Sequence, residues 1–261
     1  FVYGSAVLFI KRYAASYSLA VLFAFGMSVF YDLMLAVRQG IAVAIFLLAV
    51  PALMERKLVR YVLLVVLASQ FHVSVLLLLV VYLIPYMRLS TFGDWFKWGA
   101  LIGIVMLSLS WLLSWLLISS AYYGHYLHSD YADGGVRSAT VLLIITRIIL
   151  LLLAATCGWN ASVEADPSGR TRILLALAVA DVAMVVIALG FNLLDRLEMY
   201  LTLPFAVGLA NLAAHGERPE RSYVSALLVV ISFAATTIFF LYRPEWYHLF
   251  PYHTFLEKGL S

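Results

Sequence analysis

The chain has 261 residues, of which 64% are hydrophobic and 12% charged, with a formal net charge of +3. Charged residues are about half as frequent as in soluble domains, and the mean hydropathy is +0.99. A soluble protein of this length cannot bury so much apolar surface in one core. The composition therefore excludes a soluble enzyme and a disordered chain, and the weak, scattered positive charge excludes nucleic acid as a partner. A multi-span membrane protein remains.

The predicted elements are apolar segments separated by short polar breaks. Residues 1–10 are too short to cross a bilayer, since a span needs about 20 residues, and no positive charges precede them as in a signal peptide. We expect them to end a helix that begins in an N-terminal part absent from this sequence. Eight longer segments follow, at residues 17–30, 39–54, 61–86, 98–119, 139–159, 173–194, 197–214 and 223–242.

Each of these segments is expected to be helical, because a bilayer requires backbone hydrogen bonds to be satisfied within the segment. The predicted fold is a single transmembrane domain over residues 1–261. It is an all-α polytopic bundle of about seven to nine hydrophobic helices.

The positions of Lys and Arg predict the topology. The basic groups at residues 11–12, 56–60, 170–172 and 218–221 all become cytoplasmic if residues 61–86 enter the membrane and return. A polar break, Gln70-Phe71-His72, lies at the middle of this segment. Each arm up to His72 has about 16 residues, or about 24 Å, which is less than a hydrocarbon core of ~30 Å. We therefore predict a re-entrant hairpin whose tip lies within the membrane, in its outer half.

This topology gathers polar groups on the outer side. Asp32 and the pair Arg38-Gln39 lie in or beside one outer loop, and residues 120–138, 195–196 and 243–261 are also expected outside. Arginines on that side run against the usual charge bias, so a functional reason for them is expected.

Two charged residues lie well inside apolar segments, where charge is costly. Arg147 and Asp181 are expected at similar depths if their segments are antiparallel neighbours. Two interpretations stay open. They form a buried ion pair that fixes helix register, or they line a substrate cavity.

The outer loop 120–138 is rich in aromatic residues and histidine. Tyr123, Tyr126 and His125 are candidates for contacts with a glycan, because tyrosine rings stack on sugar faces. An interfacial aromatic belt is the alternative. The loop also contains residue types that can bind a metal, namely His125, His128, Asp130 and Asp133. We nevertheless predict neither a metal nor a cofactor.

Two motifs are more specific. The stretch from Tyr31 to Ala42 has the pattern D…RQ-x-x-A, and about 30 residues later Leu67 to Ser74 has the pattern A-x-x-FH-x-S. Together they resemble the EpsG family, Wzy-like polymerases of exopolysaccharide and capsule repeat units. Further matches are Arg196-Leu-Glu-Met-Tyr200, then Pro204, and the late Pro251-Tyr252.

The resemblance implies a GT-C-like bundle and a metal-independent, inverting glycosyltransferase. Its donor and acceptor would be oligosaccharides on undecaprenyl diphosphate, joined on the outer face of the cytoplasmic membrane. Other polysaccharide-assembly proteins are possible partners besides the lipid bilayer.

The resemblance also suggests roles for the site residues. Arg38 and Gln39 would bind the diphosphate, since a guanidinium matches phosphate oxygens bidentately. The further diphosphate ligands would be Arg196, Tyr200 and Arg147. An acceptor hydroxyl would lose its proton to His72 or Asp32.

Structural interpretations of the same residues stay open. Arg38 and Arg196 suit interfacial anchors whose charged ends reach the headgroups. His72 suits a hydrogen bond to Ser69 or Ser74 that holds the hairpin tip together.

A transporter or flippase of an anionic lipid-linked or small solute is the alternative function, and a scaffold subunit is a weaker one. Transporters usually carry paired helix interruptions in two halves. The sequence predicts one strong break, at residues 70–72, and no counterpart.

Overall fold

The structure, a computed structural model, describes residues 1–87, 94, 97–101, 103–105, 107–108, 111–112, 138–164, 166, 168–188, 197–215 and 220–242. Within these residues every regular element is helical, which confirms an all-α membrane protein. The helices are α1 (Val2–Tyr13), α2 (Tyr17–Gly26), α3 (Val29–Leu35), α4 (Val37–Met54), α5 (Leu58–Ser69), a 3-10 helix η1 (Val73–Tyr86), α6 (Ser138–Glu164), α7 (Arg170–Ala188), α8 (Glu198–His215) and α9 (Glu220–Tyr242).

Among the described residues, three helical stretches are long and apolar enough to cross a membrane. They are α4, residues Ser138–Thr156 of α6, and residues Arg221–Tyr242 of α9. Helices α2 and α3 together make a fourth candidate span, bent by 52° at its break.

That break corrects one expectation, because residues 17–30 were predicted as one uninterrupted segment. The chain turns at Met27 and Ser28, and Ser28 has a left-handed backbone with a φ of 60°. Such a φ is uncommon outside glycine. The Thr236 hydroxyl of α9 donates a hydrogen bond of 2.6 Å to the carbonyl of Gly26, so tertiary contact satisfies an end of α2 that the sequence pattern did not reveal.

The junction of α3 and α4 is tight and depends on Gly40. Helix α4 begins at Val37, so Arg38 and Gln39 belong to its first turn. A Cβ atom on Gly40 would lie 2.7 Å from the carbonyl oxygen of Leu33. The glycine of the RQG motif is therefore needed for the close approach of the two helices.

Helices α5 and η1 form a hairpin with its turn at residues 70–72, as predicted; its re-entry into the membrane stays a prediction. The Tyr61 hydroxyl of α5 donates a hydrogen bond of 2.6 Å to the carbonyl of Leu78, and Arg56 Nη2 donates one of 2.8 Å to the carbonyl of Pro85. These pairs lie at similar separations on either side of residue 70, so the arms are antiparallel and return to the same end. The second arm is a 3-10 helix of 14 residues, much longer than such helices usually are.

The hairpin tip lies within the depth of the bundle. Helices α4 and α5 pack together and are joined by a link of only three residues, 55–57. At 1.5 Å per residue α4 is about 27 Å long and α5 about 18 Å. The tip therefore stops about 9 Å short of the first turn of α4.

One end of the bundle, which we call the basic end, collects many of the positive charges. Arg12, Lys57 and Arg60 surround Glu55 there, and Arg170 acts with Arg12 on Tyr13. These residues come from three separate segments of the sequence. Their clustering agrees with the grouping on which the predicted topology depends.

Helix α8 runs through the centre of the bundle, and every residue from Tyr200 to Ala213 is buried. Near its end, Asn211 holds the link between α1 and α2. The side-chain amide of Asn211 donates a hydrogen bond of 3.0 Å to the carbonyl of Tyr13 and accepts one of 2.7 Å from the backbone N–H of Ala15. The C-terminal part of α8 thus lies at the basic end, and its first turn lies toward the opposite end.

The first turn of α7 is capped by Asp166. Its carboxylate accepts hydrogen bonds from the backbone N–H groups of Ser168 (3.0 Å) and Thr171 (2.6 Å), and from the Ser168 hydroxyl. Partial burial acts to raise the pKa of Asp166, but these hydrogen bonds outweigh it and the pKa is lowered. A carboxylate at this position satisfies N–H groups that the helix leaves free.

We expect Asp166→Ala to lower the free energy of unfolding by about 1 kcal/mol, as for other lost helix caps. Because the folded pKa is lowered, this contribution is present above the unfolded value of about 3.9 and is lost as the pH falls through the folded value. The measurement is thermal unfolding in detergent at several pH values. A difference between parent and variant that persists at the lowest pH would contradict the assignment.

Cysteine labelling tests the hairpin. In a background where the single cysteine, Cys157, is replaced by Ser, cysteines at Lys57 and at Lys97 should react with an impermeant thiol reagent only from the cytoplasmic side. A cysteine at Ser129, in the loop expected outside, is the matched control and should react from the exterior. Labelling of position 97 from outside would exclude the re-entrant topology.

Candidate active site

A buried arginine joins three helices. Arg147 of α6 forms an ion pair with Asp181 of α7, and both side chains are almost fully buried, at 3% and 0% exposure. The second terminal nitrogen, Nη2, lies 3.4 Å from Glu198 Oε2 at the start of α8. The ion-pair interpretation of Arg147 and Asp181 is confirmed, and α6 and α7 are packed neighbours as predicted.

Helix α8 presents one face to this guanidinium. Arg147 Nη2 donates a hydrogen bond of 3.2 Å to the Thr202 hydroxyl, and the guanidinium carbon lies 5.4 Å from the centre of the Phe205 ring. With Glu198, these residues are spaced at i, i+4 and i+7, which places them on the same side of a helix. Three consecutive turns of α8 therefore fix the position of the arginine.

A small cavity of about 60 Å³ opens beside the cluster. Its walls include the break between α2 and α3, the first half of α6, the start of α8 and a face of α9. The charged residues that line it are Asp32, Arg147 and Glu198, and its hydroxyl groups come from Ser28, Thr146, Ser232 and Thr236. Asp32, a predicted catalytic residue, is thus brought to the same cavity as the predicted substrate ligand Arg147.

Among the described residues that line this cavity, two carboxylates accompany one guanidinium. Asp32 acts electrostatically on Arg147, as Glu198 does, and Asp181 is its direct ion-pair partner. Three carboxylates therefore surround one guanidinium. Within the described residues, Arg147 Nε and Asp181 Oδ1 are buried without a hydrogen-bond partner. Such a site suits a group that donates protons, such as a sugar hydroxyl, better than a second anion.

A second cluster lies at the hairpin tip. His72 Nδ1 and the Ser74 hydroxyl are 3.0 Å apart, which is the contact expected if the histidine holds the tip together. The Tyr200 hydroxyl of α8 faces Ser74 without a hydrogen bond of normal geometry. The Tyr200 ring meets Phe46 of α4 edge to face, with 6.0 Å between ring centroids.

The first turn of α8 connects the two clusters. Glu198 faces Arg147 and the cavity, whereas Tyr200, two residues later, points toward the hairpin tip and α4. Two residues are about 200° apart around a helix. The short stretch 198–202 therefore has contacts with both groups of predicted site residues.

The predicted diphosphate ligands of α4 differ in exposure. Arg38 is exposed and Gln39 is buried, side by side in the first turn. Because α4 starts here, its N–H groups and helix dipole add partial positive charge next to Arg38. Arg38 thus lies at the start of a helix.

Four predicted site residues lie outside the described residues. They are Arg196, Tyr123, Tyr126 and His125. The other candidates for a metal site, His128, Asp130 and Asp133, also lie outside the described residues. Their assignments stay predictions from the sequence. Arg196 precedes Glu198 by only two positions in the chain.

Glu198 was missed as a site residue by the sequence analysis, which placed it only as a flanking charge. The spacing of Glu198, Thr202 and Phe205 was the available signal, since two polar groups one turn apart on an apolar helix mark a face with a polar partner. The partner, Arg147, is 51 residues away in the sequence, so the spacing alone could not identify it.

Comparison with known proteins agrees with the motifs. The family model described as the EpsG family matches residues 1–254, which is nearly the whole chain, and the protein therefore belongs to the EpsG family. No curated protein and no solved structure matches the chain.

The ion pair gives a direct test. Arg147→Met or Asp181→Leu alone should lower the yield of folded protein and its thermal stability, because removal of one partner leaves a buried charge at a cost of about 3–5 kcal/mol. The double variant should recover much of this loss, since Glu198 is partly exposed and keeps access to water. If both single variants are as stable as the parent protein, the ion pair does not stabilise the fold.

Proposed function

We propose that this EpsG-family protein is a membrane glycosyltransferase that polymerises oligosaccharide repeat units carried on undecaprenyl diphosphate. The supporting observation is the cavity that brings the carboxylates of Asp32 and Glu198 together beside a buried arginine. The cavity lies away from the basic end. Glu198 is about 20 Å along α8 from Asn211 at that end. With the basic end in the cytoplasm, the cavity faces the exterior of the cytoplasmic membrane.

The reaction assigned to the site is a substitution at an anomeric carbon. An acceptor hydroxyl oxygen forms a new bond to the anomeric carbon of the donor sugar, and the bond from that carbon to the diphosphate oxygen breaks. The hydroxyl proton passes to a base of the protein. Undecaprenyl diphosphate leaves with the bonding electrons, and attack from the opposite face inverts the anomeric centre.

The charge distribution divides the roles. The acidic cavity repels a diphosphate but favours a hydroxyl that must lose its proton, so we assign Asp32 or Glu198 as the general base. The diphosphate is assigned to Arg38 and Gln39 at the first turn of α4, with Arg196 as a second cation. The helix N-terminus stabilises the charge that develops on the leaving group.

The structure changes the proposal for three residues. Both terminal nitrogens of Arg147 contact protein groups, so we assign it to positioning Glu198 rather than to the diphosphate. His72 is bonded to Ser74, and we assign it and Tyr200 to holding the hairpin tip against α8. Tyr123, Tyr126 and His125 remain proposed contacts of the acceptor glycan.

A flippase is the second candidate, and the break between α2 and α3 is the observation in its favour. It supplies the second interruption that the sequence analysis did not find. Transporter interruptions normally occupy corresponding positions in two halves of the chain. Both interruptions here lie within the first 86 residues, which favours the polymerase.

Polymer length in cells that depend on this protein for their exopolysaccharide tests the proposal. Arg38→Lys should fail almost as badly as Arg38→Ala, because lysine keeps the charge but lacks the planar fork that binds a diphosphate bidentately. Asp32→Asn or Glu198→Gln should reduce polymer about 100-fold or more if that residue is the base. Protein level is measured in parallel.

Glu55→Gln is the matched control, since it removes one exposed carboxylate at the basic end. It should leave polymer length unchanged. Full-length polymer from Arg38→Lys would show that charge alone suffices. Accumulation of single lipid-linked repeat units outside the cell supports the polymerase, whereas their accumulation inside supports the flippase.

A further inference from the structure

A groove at the basic end is not used by the proposed reaction. It has a volume of about 800 Å³ and lies between α1, α4 and α5. Its apolar wall consists of Leu48, Pro51, Leu58, Val59, Leu63 and Leu64, and its charged residues are Arg12, Lys57 and Arg60. Apolar and cationic surfaces therefore meet in one concave site.

The charges in the groove are not balanced within the described residues. Lys57 forms an ion pair of 2.8 Å with Glu55. No described carboxylate forms an ion pair with Arg12 or Arg60. The groove therefore keeps an excess of positive charge next to its apolar wall.

The start of α5 adds to this potential. Lys57 is the N-cap residue of α5 and makes no side-chain capping hydrogen bond. The next three residues, Leu58, Val59 and Arg60, all line the groove. First-turn N–H groups have no partner within a helix and, with the helix dipole, favour an anion.

The apolar wall distinguishes a lipid from a free anion. Val59 and Leu63 are 73% and 64% exposed, so their side chains are available for contact with the acyl chains of a lipid. Exposed apolar side chains beside cations match the two parts of a phospholipid, its acyl chains and its phosphate. Basic pockets between helices on the cytoplasmic side are known to bind anionic headgroups.

We propose that this groove binds an anionic phospholipid of the inner leaflet, with its phosphate at Arg12, Arg60 and the first turn of α5 and its acyl chains along Val59 and Leu63. The site is separate from the acidic cavity and independent of the proposed polymerase reaction. Its occupant would connect α1 to α4 and α5 at the basic end, where the first hairpin arm begins and the second one ends.

Native mass spectrometry of the purified full chain tests the proposal, with phosphatidylglycerol and phosphatidylcholine of matched acyl chains as probes. Phosphatidylglycerol should bind more tightly than phosphatidylcholine. Arg12→Gln and Arg60→Gln should each weaken phosphatidylglycerol binding about fivefold, the usual contribution of one basic residue near an anionic lipid, and the double variant about 25-fold.

Lys11→Gln is the matched control, because Lys11 is exposed at the same end but does not line the groove. It should change binding less than twofold. An equal effect of Lys11→Gln would overturn the proposal, since binding would then follow net charge. Equal binding of the two lipids would also overturn it. Displacement of the lipid by millimolar inorganic phosphate would assign the groove to a free anion.

Thermal unfolding supplies a second measurement. Added phosphatidylglycerol should raise the unfolding temperature of the parent and of Lys11→Gln but not of the double variant. All three proteins should unfold at the same temperature in neutral detergent, because Arg12 and Arg60 are exposed. A lipid-dependent shift that survives in the double variant would place the lipid elsewhere.

Discussion

The buried guanidinium of Arg147 is the interaction on which the second half of the fold depends. A charge in an apolar bundle is tolerated only with partners, and here they come from two other helices, α7 and α8. The requirement fixes the rotation and axial position of all three helices at once. It also places Glu198 at the wall of the cavity, so the same contacts that hold the bundle together position a carboxylate that we propose as a candidate base.

Helix α8 transmits this constraint to the other half of the molecule. Its first turn contacts Arg147 through Glu198 and packs on α4 through Tyr200, while Asn211 near its other end holds the link between α1 and α2. Because one rigid helix makes all of these contacts, the acidic cavity and the first turn of α4 are held at a fixed separation. The proposed transfer reaction needs this arrangement, because the base that takes the acceptor proton and the groups that bind the leaving diphosphate must be held on opposite sides of one anomeric carbon.

The sequence was sufficient to predict the features that are set by local chemistry or by the cost of charge in a membrane. The hairpin was predicted because Gln70 to His72 interrupt an apolar run, and the Arg147–Asp181 pair because neither residue is tolerated alone at that depth. The break between α2 and α3 was not predicted. Residues 17–30 carry no charged side chain, and the hydroxyl of Thr236 that satisfies the end of α2 is 210 residues away.

The hairpin has a consequence for the order in which the protein is assembled in the membrane. The backbone N–H groups of Gln70, Phe71 and His72 are bonded within the turn. In the proposed topology the tip ends at membrane depth, where backbone outside a regular helix needs protein around it. Tyr200, which faces Ser74, is synthesised more than a hundred residues after the tip. On this proposal the hairpin would reach its final depth only after α8 has entered the bilayer, and the last step of assembly would be the insertion, from the cytoplasmic side, of a segment that does not cross.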